Sequence, residues 1–304
     1  MAEWRETVGA VLDAPGTVMI VGSVDVGKTT AATALASAAV QAGQHTAVVD
    51  ADTGQSDLGP PTTVGLGILS GPVRQMSAIP LLAAIFVGDT SPQHLYACLI
   101  DGSARLVALA RDRGSQTIVV DTTGWVEGAA AVTVKVREIS RITPRHLIAI
   151  QRGDEVEPIL ARISSTTVVH RLHPSRRIRQ RSPEERRAFR ERMFGQYFRR
   201  ARRFSLDVAM LPADRPVWYA GEWIPQARML VDIPSDALRH LLVGLADQAG
   251  FLVALGTVED VFPTAHRIDV LAPLDSLAQV RTLQWGMLRV APSGREEGRL
   301  AGAA

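Results

Sequence analysis

Cysteine, lysine and long apolar runs are what this 304-residue chain has least of. A single cysteine, Cys98, excludes an internal disulfide and suits a reducing compartment; within a predicted helix it reads as a packing residue. Lysine occurs only at positions 28 and 135, so arginine carries almost all the basic charge. No apolar run approaches the length that crosses a bilayer. The start, Met1 to Ala14, lacks the basic, apolar, small-residue layout of a secretory signal. A cytoplasmic protein with no membrane association is therefore expected. The seven histidines fall at no metal-ligand spacing, so no zinc site is expected. The hydrophobic fraction of 46% is enough for a sizeable core, and the length fits one large or two ordinary domains.

The net charge of +2 is unevenly spread. Between Arg171 and Arg203 stand thirteen Arg against three Glu, a local surplus of ten that leaves the remainder acidic. Such a run is either a solvated basic surface or a phosphate-binding segment, and the second reading gains from what stands near the N-terminus.

There, an apolar run, Thr17 to Val21, leads into Gly22-Ser23-Val24-Asp25-Val26-Gly27-Lys28-Thr29, and an Ala-rich helical stretch follows from Thr30 to Ala42. Strand, G-x-x-x-x-G-K-T loop and helix in this order make a phosphate-binding P-loop. Gly22 and Gly27 let successive N–H groups converge on one anion, and the helix directs its positive end to the same point. Lys28 can reach the β- and γ-phosphates, and the Thr29 hydroxyl is a natural Mg²⁺ ligand. A bound nucleoside triphosphate with Mg²⁺ is expected, held by residues 22 to 30, including Thr30.

The remaining pattern alternates strand and helix. Strands are predicted at 45–50, 78–88, 116–121, 146–151 and 166–171, and helices at 94–113 (opened by Ser91 and Pro92), 129–142 and 155–164. This argues for an α/β fold: a mainly parallel sheet flanked by helices. The polar loop Asp50-Ala51-Asp52-Thr53-Gly54-Gln55-Ser56-Asp57 ends the second strand, where ligands meet such a sheet; its acids suit metal or nucleophile handling. Asp121 ends a strand in the Walker-B manner and would hold Mg²⁺ directly or through water. Trp125, just beyond, is either core or a platform for a nucleobase. Ser182-Pro183-Glu184-Glu185 is a helix start, and the helix would carry Arg186 and Arg190 on one face, with Phe189, Met193 and Phe194 as its apolar stripe. A helical lid of this kind would stabilise charge in phosphoryl transfer. From Ser205 the texture becomes β-like, with short runs at 217–220, 228–233, 251–257, 267–272 and 289–291 and one helix at 235–248; Met1 to Pro15 and Gly294 to Ala304 read as a polar lead-in and a frayed tail.

Together, Gly22 to Thr30, Asp52-Thr53-Gly54-Gln55, Phe86-Val87-Gly88-Asp89-Thr90-Ser91-Pro92, Thr122-Thr123-Gly124-Trp125 and Arg181-Ser182 through Tyr197-Phe198 resemble the P-loop polynucleotide 5′-hydroxyl kinases. These are the RNA kinases of mRNA 3′-end cleavage, tRNA splicing and ribosomal RNA processing, with archaeal and bacterial relatives. The resemblance covers most of residues 16 to 203. It implies a kinase domain over 1–203, with a basic lid at 171–203, and a small β-rich domain over 204–304. An N-terminal β domain found in larger eukaryotic members is expected to be missing.

The resemblance also implies roles. Lys28 and Thr29 handle the triphosphate and Mg²⁺; Asp52, in D-x-G-Q, orients or deprotonates the attacking 5′-hydroxyl and stands near the metal with Asp121. Gln55, Thr122, Gly124 and Trp125 face the substrate, with Trp125 stacking near the terminal base. Arg186 and Arg190 contact the transferring phosphate, and Gln151-Arg152 lies where bases are often read. The implied activity is transfer of the γ-phosphate of ATP or GTP to the 5′-hydroxyl of a single-stranded RNA or DNA end, with RNA favoured and no protein partner specified. Competing readings are a nucleotide-bound scaffold in an RNA-processing complex, an ATPase or GTPase switch, and a small-molecule kinase.

Overall fold

The computed structural model describes residues 2–91, 93–176, 178–212 and 215–300. Pro92, Arg177 and the last four residues, which the sequence reading assigned to a helix start, the basic run and a tail, lie outside them. The chain divides into two compact units: Met1–Gly59, Val64–Ala84 and Tyr96–Arg181 form the first, and Pro60–Thr63, Ile85–Leu95 and Ser182–Ala304 the second. The basic run is thus split at Arg181, and its helix belongs to the second unit.

The first unit runs α1 (Ala2–Asp13), β1 (Thr17–Val21), α2 (Lys28–Gln41), β2 (Thr46–Ala51), β3 (Thr63–Ile68), β4 (Leu81–Phe86), α3 (Tyr96–Asp112), β5 (Thr117–Thr122), α4 (Ala129–Ile142), β6 (His146–Ile150), α5 (Glu157–Leu160) and β7 (Val168–Leu172). One seven-stranded sheet has the order β4-β3-β2-β5-β1-β6-β7. Strands β2, β5, β1, β6 and β7 are mutually parallel, and β3 pairs antiparallel with β2. The parallel core follows from its sequence: β1, β2, β5 and β6 are buried along their whole length, so continuous Val/Ile/Ala runs replace in–out alternation. The core beneath α2 joins Val18, Ile20, Leu35, Val48, Val119 and Ile148.

The second unit opens with α6 (Pro183–Phe198), whose Ser182 and Glu185 form a reciprocal capping box with Pro183 in the first turn. Its buried stripe is Phe194 and Phe198, four residues apart, rather than the expected Phe189, Met193 and Phe194. Then come β8 (Arg202–Asp207), β9 (Val217–Tyr219), β10 (Glu222–Ile224), α7 (Gln226–Asp232), α8 (Ser235–Leu238), β11 (Leu241–Ala246), β12 (Leu252–Phe262), β13 (Arg267–Ala272), β14 (Thr282–Val290) and β15 (Glu296–Arg299). Six strands form an antiparallel sheet, β15-β14-β11-β12-β13-β8, and β9 and β10 form a hairpin. Trp285, Leu245, Val258 and Ile268 centre its core.

Several expectations are corrected. The described part of the expected lead-in, residues 2–15, is mostly helix: α1 buries Thr7 and Val11. A strand at 63–68 was missed, its apolar pattern interrupted by two glycines. The run at 78–87 is only partly buried; β4 is an edge strand and exposes Leu81 and Leu82. The helix expected at 155–164 shrinks to α5. The run expected as β-like at 228–233 is helical through Asp232, and the helix expected at 235–248 is one turn followed by β11. The C-terminal stretch is not frayed through 299: β15 pairs with β14, and Arg299 Nε donates to the buried Asp89 at 2.8 Å. No helix among the described residues is long and apolar enough to cross a membrane.

Candidate active site

The carboxyl ends of five neighbouring strands deliver the site. Beyond β1 lies the P-loop, beyond β2 the Asp52 loop, beyond β5 the T-T-G-W turn, beyond β6 Gln151-Arg152, and beyond β7 the start of the basic run. Register places Asp121 beside Ile20 on one side and beside Asp50 on the other.

Gly27 caps α2 with φ 91°, a left-handed conformation, and a Cβ there would come 2.6 Å from Ile178 Cδ1. The Gly124 backbone packs against Val24, where a Cβ would sit 2.6 Å from Val24 Cγ1, so the T-T-G-W turn rests on the P-loop. Gly22 lies against the Ile150 carbonyl. The loop is held from several sides: Lys28 Nζ donates to the Ser23 carbonyl at 2.9 Å, Arg152 Nη2 to the Asp25 carbonyl at 2.6 Å, and the Arg181 N–H to Asp25 Oδ2 at 2.9 Å. Val24 and Thr30 are exposed, whereas Val26 is core.

Lys28 is buried, and burial lowers its pKa; the carboxylates of Asp52 and Asp121 oppose that shift, which places both acids within electrostatic reach of the ammonium. Asp121 is fully buried. Its Oδ2 accepts the Thr29 hydroxyl at 2.6 Å, and its Oδ1 has no hydrogen-bond partner among the described residues. Burial lifts its pKa to about 7, against the pull of Lys28 and the Thr29 hydrogen bond. A buried, orphaned carboxylate oxygen beside a threonine hydroxyl is a donor set for a hard divalent cation, so the residues fit Mg²⁺.

The two nearby acids of the Asp50–Asp57 loop differ in kind. Asp50 is a buried brace. Its Oδ2 accepts from Ser56 Oγ and from the N–H groups of Asp57 and Leu58, and its Oδ1 from the Asp52 N–H. Burial and the neighbouring Asp121 and Asp52 raise its pKa well above the carboxylate range. Asp52 is half-buried: Oδ1 accepts the Gly54 and Gln55 N–H groups at 3.1 Å, and Oδ2 carries no hydrogen bond among the described residues. Asp50 thus fixes the loop, and Asp52 presents one open oxygen.

Other expected residues occupy varied positions. Gln55 Oε1 accepts Arg181 Nη1 at 3.1 Å. Thr122 is fully buried and its hydroxyl donates to the Ile20 carbonyl, so it braces the wall under the turn. Trp125 is half-buried and stacks on no other ring among the described residues. Gln151 is locked by Glu157 and the Val156 N–H. Arg186 is half-buried on α6 in the second unit, and Arg190 is paired there with Glu296, Nε to Oε1 at 2.5 Å and Nη2 to Oε2 at 2.9 Å. Sequence reasoning missed Arg181 and Lys135 as site residues. Arg181 was one arginine among many, but Lys135 had a signal in its rarity: its Nζ donates to Thr123 Oγ1 at 3.2 Å and pairs with Glu138 at 2.9 Å, both side chains buried.

Residues 22–200 match the model of the mRNA cleavage and polyadenylation factor CLP1 P-loop. The chain belongs to this family. Among relatives of the CLP1 P-loop family chain, a polyribonucleotide 5′-hydroxyl-kinase of Pyrococcus furiosus is 26% identical, covering 95% of this chain and 92% of its own. One of Thermococcus kodakarensis is 28% identical over 94% and 91%. A solved Clp1p in complex with Pcf11p superposes with a TM-score of 0.69 at 13% identity, spanning 95% of this chain and 78% of that one, which shows the shared fold.

Proposed function

We propose that this CLP1-family chain is a polynucleotide 5′-hydroxyl kinase that transfers the γ-phosphoryl group of ATP or GTP to the 5′-hydroxyl of a single-stranded RNA or DNA end in the cytoplasm. The observation that carries the reading is the grouping of Lys28, Asp52 and Asp121: an ammonium for the transferring charge, a buried acid beside Thr29, and a second carboxylate with a free oxygen. The archaeal relatives' shared name supports RNA as the acceptor.

P-loop N–H groups cradle the triphosphate, and Lys28 balances charge on its outer phosphates. Thr29 and Asp121 would hold Mg²⁺, with Asp52 near it; bound there, the ion would neutralise oxygen charge on the phosphates. Asp52 Oδ2 accepts the 5′-hydroxyl proton as that oxygen bonds to the γ-phosphorus and the bond to the leaving diphosphate breaks. Arg181, tied to Asp25 and Gln55, stands between the two loops where phosphate and acceptor meet. Trp125 offers its ring to the terminal base and Gly124 keeps that turn close to the loop, with Thr122 bracing from beneath. Arg190 is committed to Glu296 within the second unit, so the reading does not depend on the phosphate contacts that the family resemblance implies for Arg186 and Arg190.

The test is γ-labelled nucleotide with a 5′-hydroxyl oligonucleotide and Mg²⁺. Labelled oligonucleotide that disappears in Lys28→Ala supports the reading. Absence of labelled product from the wild-type protein with either nucleotide rejects it; tight nucleotide retention without transfer would then mark a scaffold, and acceptor-independent hydrolysis a switch.

A further inference from the structure

Two cavities flank the P-loop within the first unit. One, of about 380 Å³, is lined by Arg152, His173, Arg176 and Ile178, beyond β6 and β7. The other, of about 440 Å³, lies on the opposite side, toward β2 and β3; Thr29, Thr30 and Thr33 of α2 line one wall, and Asp57, Arg74, Gln75 and Ser77 the other. In-line transfer puts attacking and leaving oxygens on opposite sides of the γ-phosphorus. Asp52 and Asp121 both lie on the β2–β5 side of β1, so the reacting end of the triphosphate faces that side and the acceptor enters there.

Arg74 stands at the rim of this second cavity. The preceding residue is clamped to α2 in both directions: the Val73 N–H donates to Ser37 Oγ at 3.0 Å, and the Ser37 hydroxyl donates to the Val73 carbonyl at 2.7 Å. The Arg74 side chain is exposed, and its guanidinium has no hydrogen-bond or ion-pair partner among the described residues. A pinned backbone carrying an uncommitted guanidinium beside the acceptor entrance is suited to bind a phosphate monoanion.

We propose that the Thr29–Asp57–Arg74 cavity receives the acceptor chain beyond its terminal nucleoside and that Arg74 grips the first internucleotide phosphate on the 3′ side of the attacked hydroxyl. The inference rests on the kinase reading for the direction of approach. It explains how a nucleic-acid end, rather than a free nucleoside, would be selected.

The experiment compares wild type, Arg74→Ala and Arg74→Lys on acceptors of growing length: a nucleoside, its 3′-phosphate, a dinucleotide and an oligonucleotide. Arg74→Ala should raise the acceptor KM about tenfold for every acceptor bearing that phosphate, leave the plain nucleoside and the MgATP KM unchanged, and keep turnover at saturating acceptor. Arg74→Lys should recover part of the loss. A rise in the MgATP KM instead would assign Arg74 to the triphosphate, and an equal loss with the plain nucleoside would assign it a structural role; either overturns the proposal. Equilibrium binding of a fluorescent 5′-hydroxyl oligoribonucleotide reads the same contact without turnover. If no acceptor is phosphorylated, the kinase reading fails. Equal oligonucleotide affinities of wild type and Arg74→Ala then overturn the phosphate contact separately, and a tenfold loss supports it.

Discussion

The Thr29 hydroxyl and the Asp121 carboxylate are joined at 2.6 Å, linking the first turn of α2 to the end of β5. The hydrogen bond satisfies one oxygen of a fully buried acid and leaves the other without a donor among the described residues. Such an acid holds its proton more tightly in the folded chain than in the unfolded one, with its pKa raised by burial to about 7. The stability it contributes is complete below the ordinary carboxylate range and is lost as pH rises through about 7. Asp50, raised by burial and its acidic neighbours, acts in the same direction. Without Mg²⁺, thermal melts should therefore fall in midpoint from pH 5 to pH 8, and Asp121→Asn should flatten that slope. With Mg²⁺ and nucleotide the wild-type protein should release protons on binding near pH 6, measurable by calorimetry in buffers of different ionisation enthalpy; Asp121→Asn should release fewer.

Two acids two residues apart should behave as opposites. Asp52→Asn removes the open oxygen next to the P-loop while keeping an oxygen for the Gly54 and Gln55 N–H groups. Transfer should drop by about 10²–10⁴, with nucleotide affinity nearly unchanged. Asp50→Ala strips acceptors from three N–H groups and one hydroxyl at a buried site. Stability should fall by roughly 2–4 kcal/mol, seen as a lower urea midpoint, before any kinetic comparison is meaningful.

Much of the first unit was legible because each parallel strand ends in a polar motif. A continuous apolar run that stops at Gly22, Asp50 or Asp121 marks both the strand and its ligand edge. The second unit was harder to read. Leu241 to Ala246 is apolar without a break and buried throughout, and such a run fits a helix face as well as a strand covered on both sides. Residues 228–233 failed in the other direction, since most of their β-like pattern falls in α7. In the site, residues contiguous with a motif were found, and those placed by tertiary contact were not. Arg181 meets Asp25 across 156 positions of sequence, a distance over which no local pattern distinguishes one arginine from its neighbours.

Arg181 and Arg190 should separate function from stability. Arg181 is exposed; its main-chain N–H holds Asp25 of the P-loop and its guanidinium donates to Gln55, so Arg181→Ala keeps the first link, removes the second, and should slow transfer about tenfold or more with the melting temperature within experimental error. Arg190 is 16% exposed and its partner Glu296 only 8%. Removing the guanidinium strands a buried carboxylate, so Arg190→Ala should lower stability by about 3 kcal/mol, detectable in denaturant unfolding. A turnover defect in Arg190→Ala is informative only at temperatures where the variant remains folded. An unchanged unfolding midpoint would mean that the Glu296 pair is dispensable.

Lys135 offers the sharpest separation of packing from positioning. It is one of two lysines in the chain, its ion pair with Glu138 is 1% and 0% exposed, and its Nζ also reaches the Thr123 hydroxyl in the turn that carries Trp125. Two charges withdrawn from water in this way contribute little net stability compared with an apolar pair, yet removal of one partner is costly. Lys135→Met should therefore destabilise by about 3 kcal/mol, and Lys135→Met combined with Glu138→Leu should recover most of that loss. Should the pair only pack α4, the double variant regains activity together with stability. Should it hold the T-T-G-W turn against the P-loop, the double variant is stable but binds the acceptor weakly, with a raised oligonucleotide KM and an unchanged nucleotide KM. The hydrogen bond to Thr123 favours the second outcome, because no methionine can replace an ammonium that fixes the hydroxyl two residues before Trp125.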